Sequence, residues 1–174
     1  FGPIRGSHLP AYFDGIKFHT SRGRTFLTVA ADRRLALLDF EHQTVADATV
    51  EGVPADAYTA LGTLEGQQVL AILRPYELRL CNAASGKDRI APIHTSPTAR
   101  AVDFARLGQR DIVLTAHSAT IRAWNPFTGR MLTQLPLGTN LDAMAVRNSP
   151  DGTAQVAIGG PGLLLTQLHE PEVG

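Results

Sequence analysis

The chain is poor in the residues that most often announce a chemistry. Its 174 residues include one cysteine, one tryptophan and only 6% aromatic side chains. A lone cysteine excludes an intramolecular disulfide framework and any zinc or iron–sulfur site built from several thiolates of this chain. No run of 18 apolar residues occurs, so no transmembrane helix is expected, and the start lacks the basic, apolar and small-residue succession of a signal peptide. A surplus of one charge is missing too, because 16 basic and 16 acidic residues cancel. A neutral chain has no general attraction for nucleic acid or an anionic membrane, so neither is an expected partner. What is present is 44% hydrophobic, enough for a packed domain of ordinary length.

Against these absences stands a repeat. Shifting the chain on itself by about 43 residues aligns four apolar cores: Phe26 to Val29, Val69 to Ile72, Ile112 to Thr115 and Gln155 to Ile158. A second set follows each after a short turn: Leu35 to Leu38, Leu78 to Cys81, Ile121 to Trp124 and Leu164 to Gln167. A third set precedes each: Gly15 to Phe18, Tyr58 to Leu61, Ala101 to Phe104 and Ala143 to Val146. Short β-branched and aliphatic runs bounded by Gly, Pro, Asp or Asn are strand signals. A fourth, more polar run closes three units, at Ala46 to Val50, Lys87 to Ile90 and Arg130 to Thr133. Near-continuous inner runs beside polar outer ones predict sheets covered on both faces with an outer strand in water. Ala30 to Gln43 and Ala99 to Ala105 are rich in helix formers, but their register with Val- and Ile-rich counterparts predicts strand.

The expectation is an all-β chain, a β-propeller of four-stranded antiparallel blades with repeats at about 10–52, 53–95, 96–138 and 139–174. Residues 1–9 are expected to be an outer strand, Gly2 to His8, of the last or the preceding blade. Three arrangements follow: part of a larger propeller, a half-ring that pairs with a second copy or another chain, or a closed four-blade ring.

The segment Thr120-Ile121-Arg122-Ala123-Trp124-Asn125-Pro126-Phe127-Thr128-Gly129 resembles the third strand and following turn of a WD-repeat blade, and Ser149-Pro150-Asp151-Gly152 resembles that family's entry to the next blade. The chain looks like a degenerate, bacterial-looking member. The resemblance implies that Trp124 packs between blades, with Leu38 and Cys81 at equivalent positions, and that Asn125 and Gly129 close the strand. Gln167 aligns with Trp124 in the last unit. The family's Gly-His dipeptide is absent, which removes the usual source of its histidine-to-strand hydrogen bonds.

Candidate chemistry is sparse. Gly159-Gly160-Pro161-Gly162 lacks the long following helix that a phosphate loop needs and reads as a tight turn. Cys81, at a packing position, reads as a buried inert thiol. The six histidines show no metal-ligand spacing, so neither a metal nor another cofactor is expected. In a propeller, the turns between second and third strands share a side with the loops joining blades. That rim holds Arg33, Arg74, Tyr76 and His117 together with His8, Asp56, His94 and Arg100, an Arg- and Tyr-containing surface suited to a protein or peptide partner. The leading expectation is thus a non-catalytic interaction scaffold or regulatory module. The alternatives are a small-ligand-binding or catalytic propeller using its channel, with Asp14, Asp103 or His117 as polar contributors, and a sensor part of a larger enzyme. Lone-cysteine usage is compatible with a cytoplasmic setting.

Overall fold

The computed structural model describes residues 15–21, 23–31, 33–39, 41–42, 44–54 and 56–169. Among them there are fifteen β-strands and no helix. The first sheet comprises β1 (Gly15–Ser21), β2 (Arg24–Ala31), β3 (Arg34–Asp39) and β4 (Thr44–Glu51). The second comprises β5 (Tyr58–Leu64), β6 (Gln67–Arg74), β7 (Glu77–Asn82) and β8 (Ile93–His94). The third comprises β9 (Ala101–Leu107), β10 (Arg110–His117), β11 (Thr120–Trp124) and β12 (Met131–Pro136), and the last β13 (Ala143–Asn148), β14 (Ala154–Gly159) and β15 (Leu163–Leu168). Each sheet is antiparallel in chain order, and the inner strands β1, β5, β9 and β13 stand side by side in that order. These are four blades of a β-propeller. The described residues of the helix-former-rich stretches at Ala30 to Gln43 and Ala99 to Ala105 fall in strands and their connections, while Gly2 to His8 lies outside the described residues.

Alternation of side chains across each strand gives every blade a forward face, toward the next blade, and a backward face. Forward residues Phe26, Leu35 and Leu37 of the first blade pack on backward residues Leu70, Ile72 and Cys81 of the second. Leu73, Leu78 and Leu80 then meet Val113 and Trp124, and Ile112, Leu114 and Ile121 meet Val156 and Ile158. Middle strands are therefore buried on both sides, as their unbroken apolar runs require. The forward face of the fourth blade is different: Leu163 and Leu165 on it are 74% and 71% exposed.

Two register details depart from the sequence reading. Opposite Val113 stands Trp124, but opposite the equivalent Val156 stands Thr166, so Thr166 rather than Gln167 takes the tryptophan position. In the second blade the expected strand over Lys87 to Ile90 is reduced to a single bridge between Cys81 and Asp88, with the ladder resuming at Ile93–His94. Pro92 offers no N–H to the ladder there. The Asp88 carboxylate also turns inward, accepting from Arg79 Nε at 3.1 Å and Cys81 Sγ at 3.1 Å.

The inner strands approach closely at Gly62 of β5, where a Cβ would land within the Phe104 ring of β9. No flexible side-chain tip can yield there, because the obstacle is a ring packed in the same junction. Gly62→Ala should cost about 1–3 kcal/mol through overpacking. A urea titration reads this as a lowered midpoint; a midpoint equal to wild type would rule out the close approach.

Candidate interaction face

The turns that join second to third strands lie on the side where one blade hands over to the next, and backbone hydrogen bonds tie the two together. Arg33 carbonyl accepts Val53 N–H at 2.9 Å, Tyr76 carbonyl accepts Thr95 N–H at 3.0 Å, and Ala119 carbonyl accepts Leu137 N–H at 2.9 Å. The three acceptors occupy one repeat position. Arg33 and Tyr76 adopt φ of 60° and 67°, a left-handed conformation unfavourable for a residue with a Cβ. In each case the strained residue stands at the tip of the turn with its side chain outward. Tyr76 is 61% exposed and Arg33 is exposed.

Around Tyr76 the remaining rim residues are assembled by pairing. Arg74 Nη2 lies 2.7 Å from Glu77 Oε1, and Glu77 stands opposite His94 in the β7–β8 pair. Arg74 also reaches the Gly52 carbonyl of the preceding loop at 3.4 Å. Arg100 Nη1 sits 4.0 Å from Asp142 Oδ1, both side chains being largely exposed. Arg33, Tyr76 and Arg100 in turns and loops, with Arg74 at the end of β6 and His94 in β8, thus lie on one face.

His117 does not share that exposure. It ends β10 with only 2% of its surface accessible, at the junction of the second and third blades. Its Nδ1 lies 2.8 Å from Ser96 Oγ and its Nε2 lies 2.8 Å from Thr115 Oγ1, while Trp124 Nε1–H donates to Thr115 Oγ1 at 2.8 Å. The sequence placed His117 on the rim because it adjoins the turn. Its side chain nevertheless belongs to the backward face with Thr115 and Trp124, and is enclosed. A histidine-to-strand network is therefore present in this blade, built with a histidine on the second strand. Burial, reinforced by the Arg122 charge, pushes the His117 pKa down to about 4. His19, whose Nε2 lies 2.9 Å from Thr28 Oγ1 between the first two blades, is likewise pushed down to about 4 by burial and by Lys17.

The other structural positions follow the turn chemistry. Asn125 Oδ1 accepts the N–H groups of Phe127 at 2.9 Å and Thr128 at 3.0 Å, and Gly129 takes φ 70°. Asp39 and Asn82 make the same side-chain turn, accepting from Glu41 and His42 and from Ala84 and Ser85 respectively. Leu38, Cys81 and Trp124 are all buried. Burial and the neighbouring Asp88 raise the Cys81 thiol to about 12, so it carries no thiolate at neutral pH. Gly159 to Gly162 turn directly from β14 into β15. Of the channel candidates, Asp14 lies outside the described residues. Asp103 lies on the inner strand β9, its carboxylate accepting Phe104 N–H and Val146 N–H at 2.9 Å each.

No protein-family model matches this sequence, and no curated protein matches it. Solved structures do. The Kuenenia stuttgartiensis hydrazine synthase structure contains a chain similar at TM-score 0.64 and 16% identity, over 97% of this chain and 49% of that one. BBS1N, solved in complex with ARL6DN, is similar at TM-score 0.62 and 13% identity, over 92% and 52% of the two chains. The computationally designed Ika8 protein is similar at TM-score 0.59 and 15% identity, over 88% and 45%. The chain spans about half the length of these propeller-like structures, and at such identities the likeness concerns the fold.

The neutral histidines make stability depend on pH. The unfolded chain protonates histidine below about 6.5, whereas the folded chain resists until about 4. Their contribution is complete above pH 6.5 and is lost as pH falls toward 4. Denaturant midpoints measured across that window should fall for wild type and fall less steeply for His117→Gln; parallel curves would contradict the assignment.

Proposed function

We propose that this chain is a non-catalytic interaction module of WD-repeat type, holding a protein or peptide on the face formed by the second-to-third-strand turns and the blade-connecting loops. One observation carries the reading. Two turn tips spend a left-handed backbone conformation on Arg33 and Tyr76, where glycine would fit without strain. Backbone strain of order 1–3 kcal/mol persists where surrounding structure imposes it, and it clusters at binding sites. Tyr and Arg are also the side chains that most often anchor protein interfaces. The cationic groups here are set beside carboxylates, Arg74 at 2.7 Å from Glu77 and Arg100 at 4.0 Å from Asp142.

The test is a peptide-display selection on the wild-type chain, followed by binding to Arg33→Ala/Arg74→Ala/Arg100→Ala and, separately, Tyr76→Gly. Selected peptides should bind each variant at least about tenfold more weakly. Tyr76→Gly should keep wild-type stability or gain from the relief of φ strain, so lost binding cannot be put down to unfolding. Undiminished binding to both variants would dispose of this face.

The same reading joins these four blades to others, from a second copy or another chain. The support is the uncovered forward face at Leu163 and Leu165, apolar at positions which in the first three blades are covered by the next. Native mass in solution should be at least twice the 18.7 kDa of the chain at micromolar concentration and fall to that value in Leu163→Asp/Leu165→Asp. A wild-type monomer would contradict pairing with a second copy.

A further inference from the structure

A cavity of about 370 Å³ opens where the inner strands begin, and Arg100 and Asp142 of the interaction face line part of it. Each blade contributes to it: Lys17 from β1, Tyr58 and Thr59 from β5, Arg100 and Ala101 at the start of β9, and Met144 from β13. Its walls are mainly aliphatic and aromatic, and two cations enter it. Lys17 donates from Nζ to the Thr59 carbonyl across the first two blades. No ion pair of Lys17 occurs among the described residues. Asp103 is the carboxylate whose field reaches it, but both Asp103 oxygens are taken by backbone N–H groups. Arg100 meets Asp142 only at the 4.0 Å limit of an ion pair. Burial works against the Lys17 charge and lowers its pKa.

Lys17 is an exposed residue whose ammonium has one acceptor among the described residues, the Thr59 carbonyl, so an arriving anion would add a charge-assisted partner. We propose that this cavity binds a small monocarboxylate with an apolar body, the carboxylate between Lys17 and Arg100 and the carbon skeleton against Tyr58, Ala101 and Met144. The volume is within the range of small-molecule sites. A carboxylate fits because its single charge matches the one cation without a counter-ion, while Arg100 can fork to it without leaving Asp142. A doubly charged phosphate would bring its second charge against Asp142.

Isothermal titration at neutral pH tests the proposal with benzoate and hexanoate, with benzamide as the uncharged counterpart and inorganic phosphate as the compact anion. At least one carboxylate should bind saturably with a dissociation constant of about 1 mM or below, and benzamide and phosphate about tenfold more weakly. Lys17→Gln and Arg100→Gln should each weaken the carboxylate by about fivefold or more. Arg100 is exposed, so its variant decides the matter if Lys17→Gln fails to fold by circular dichroism. The proposal is overturned by absence of saturable binding, by benzamide or phosphate binding as well as the carboxylate, or by folded variants that bind like wild type.

Discussion

Everything in this molecule depends on middle strands that are apolar on both faces. Val69 to Leu73 and Ile112 to Ala116 are buried residue after residue, so neither β6 nor β10 can turn any side to water. A buried aliphatic side chain contributes about 1.5–3 kcal/mol, which makes a single blade with two bare faces untenable. Blades must stack, each forward face on the next backward face. Stability in such an array accumulates from neighbour to neighbour, much as in other repeat proteins. Polar variety is thereby expelled from the strands and collected in turns and loops, where recognition can be varied without disturbing a junction. The carbonyls of Arg33, Tyr76 and Ala119 add a fixed link between the turn of one blade and the loop leaving it. The surface that varies is thus held on a backbone that does not.

Junctions still have to accommodate polar atoms, and they do so by closing them on one another. Between the second and third blades, Trp124, Thr115, His117 and Ser96 form a continuous chain of donors and acceptors. Between the first and second, His19, Thr28 and Thr59 do the same. Burial of both imidazoles, with the Arg122 charge near one and the Lys17 charge near the other, disfavours an extra proton and keeps them neutral.

The repeat was legible because two-sided burial forces unbroken apolar runs, and such runs at one spacing leave little freedom for another fold. Turn chemistry was legible at Asn125, whose side-chain oxygen accepts two backbone N–H groups beyond the strand, and Asp39 and Asn82 do the same at the equivalent positions. Details that depend on pairing were not. A one-residue offset in the last blade moves Thr166 into the place assigned to Gln167, and only the partner Val156 reveals it. Lys87 to Ile90 has strand composition, yet only Lys87 and Arg89 bond the β7 backbone, at Asn82 and Leu80, before Pro92 interrupts the ladder. His117 carries no linear mark of burial; the decisive fact is which way β10 points its odd-numbered residues. Lys17 lines one cavity with Arg100, 83 positions away, and only the stacking of blades brings the two to it.

The two histidine networks also show what the fold requires of a signature residue. His19 sits on an inner strand and His117 on a second strand, yet each bonds a threonine hydroxyl of its own blade, Thr28 and Thr115. At the tryptophan position, leucine, cysteine, tryptophan and threonine serve in turn, and the three of these in the first three blades are almost wholly buried. Packing asks for volume at that point and hydrogen bonding asks for closure; neither asks for one residue type. Backbone demands are stricter, because a positive φ, a strand-end acceptor or a missing Cβ at Gly62 has few substitutes. The chain keeps its propeller through turn geometry and face-to-face burial, with different side chains at the equivalent position of each blade.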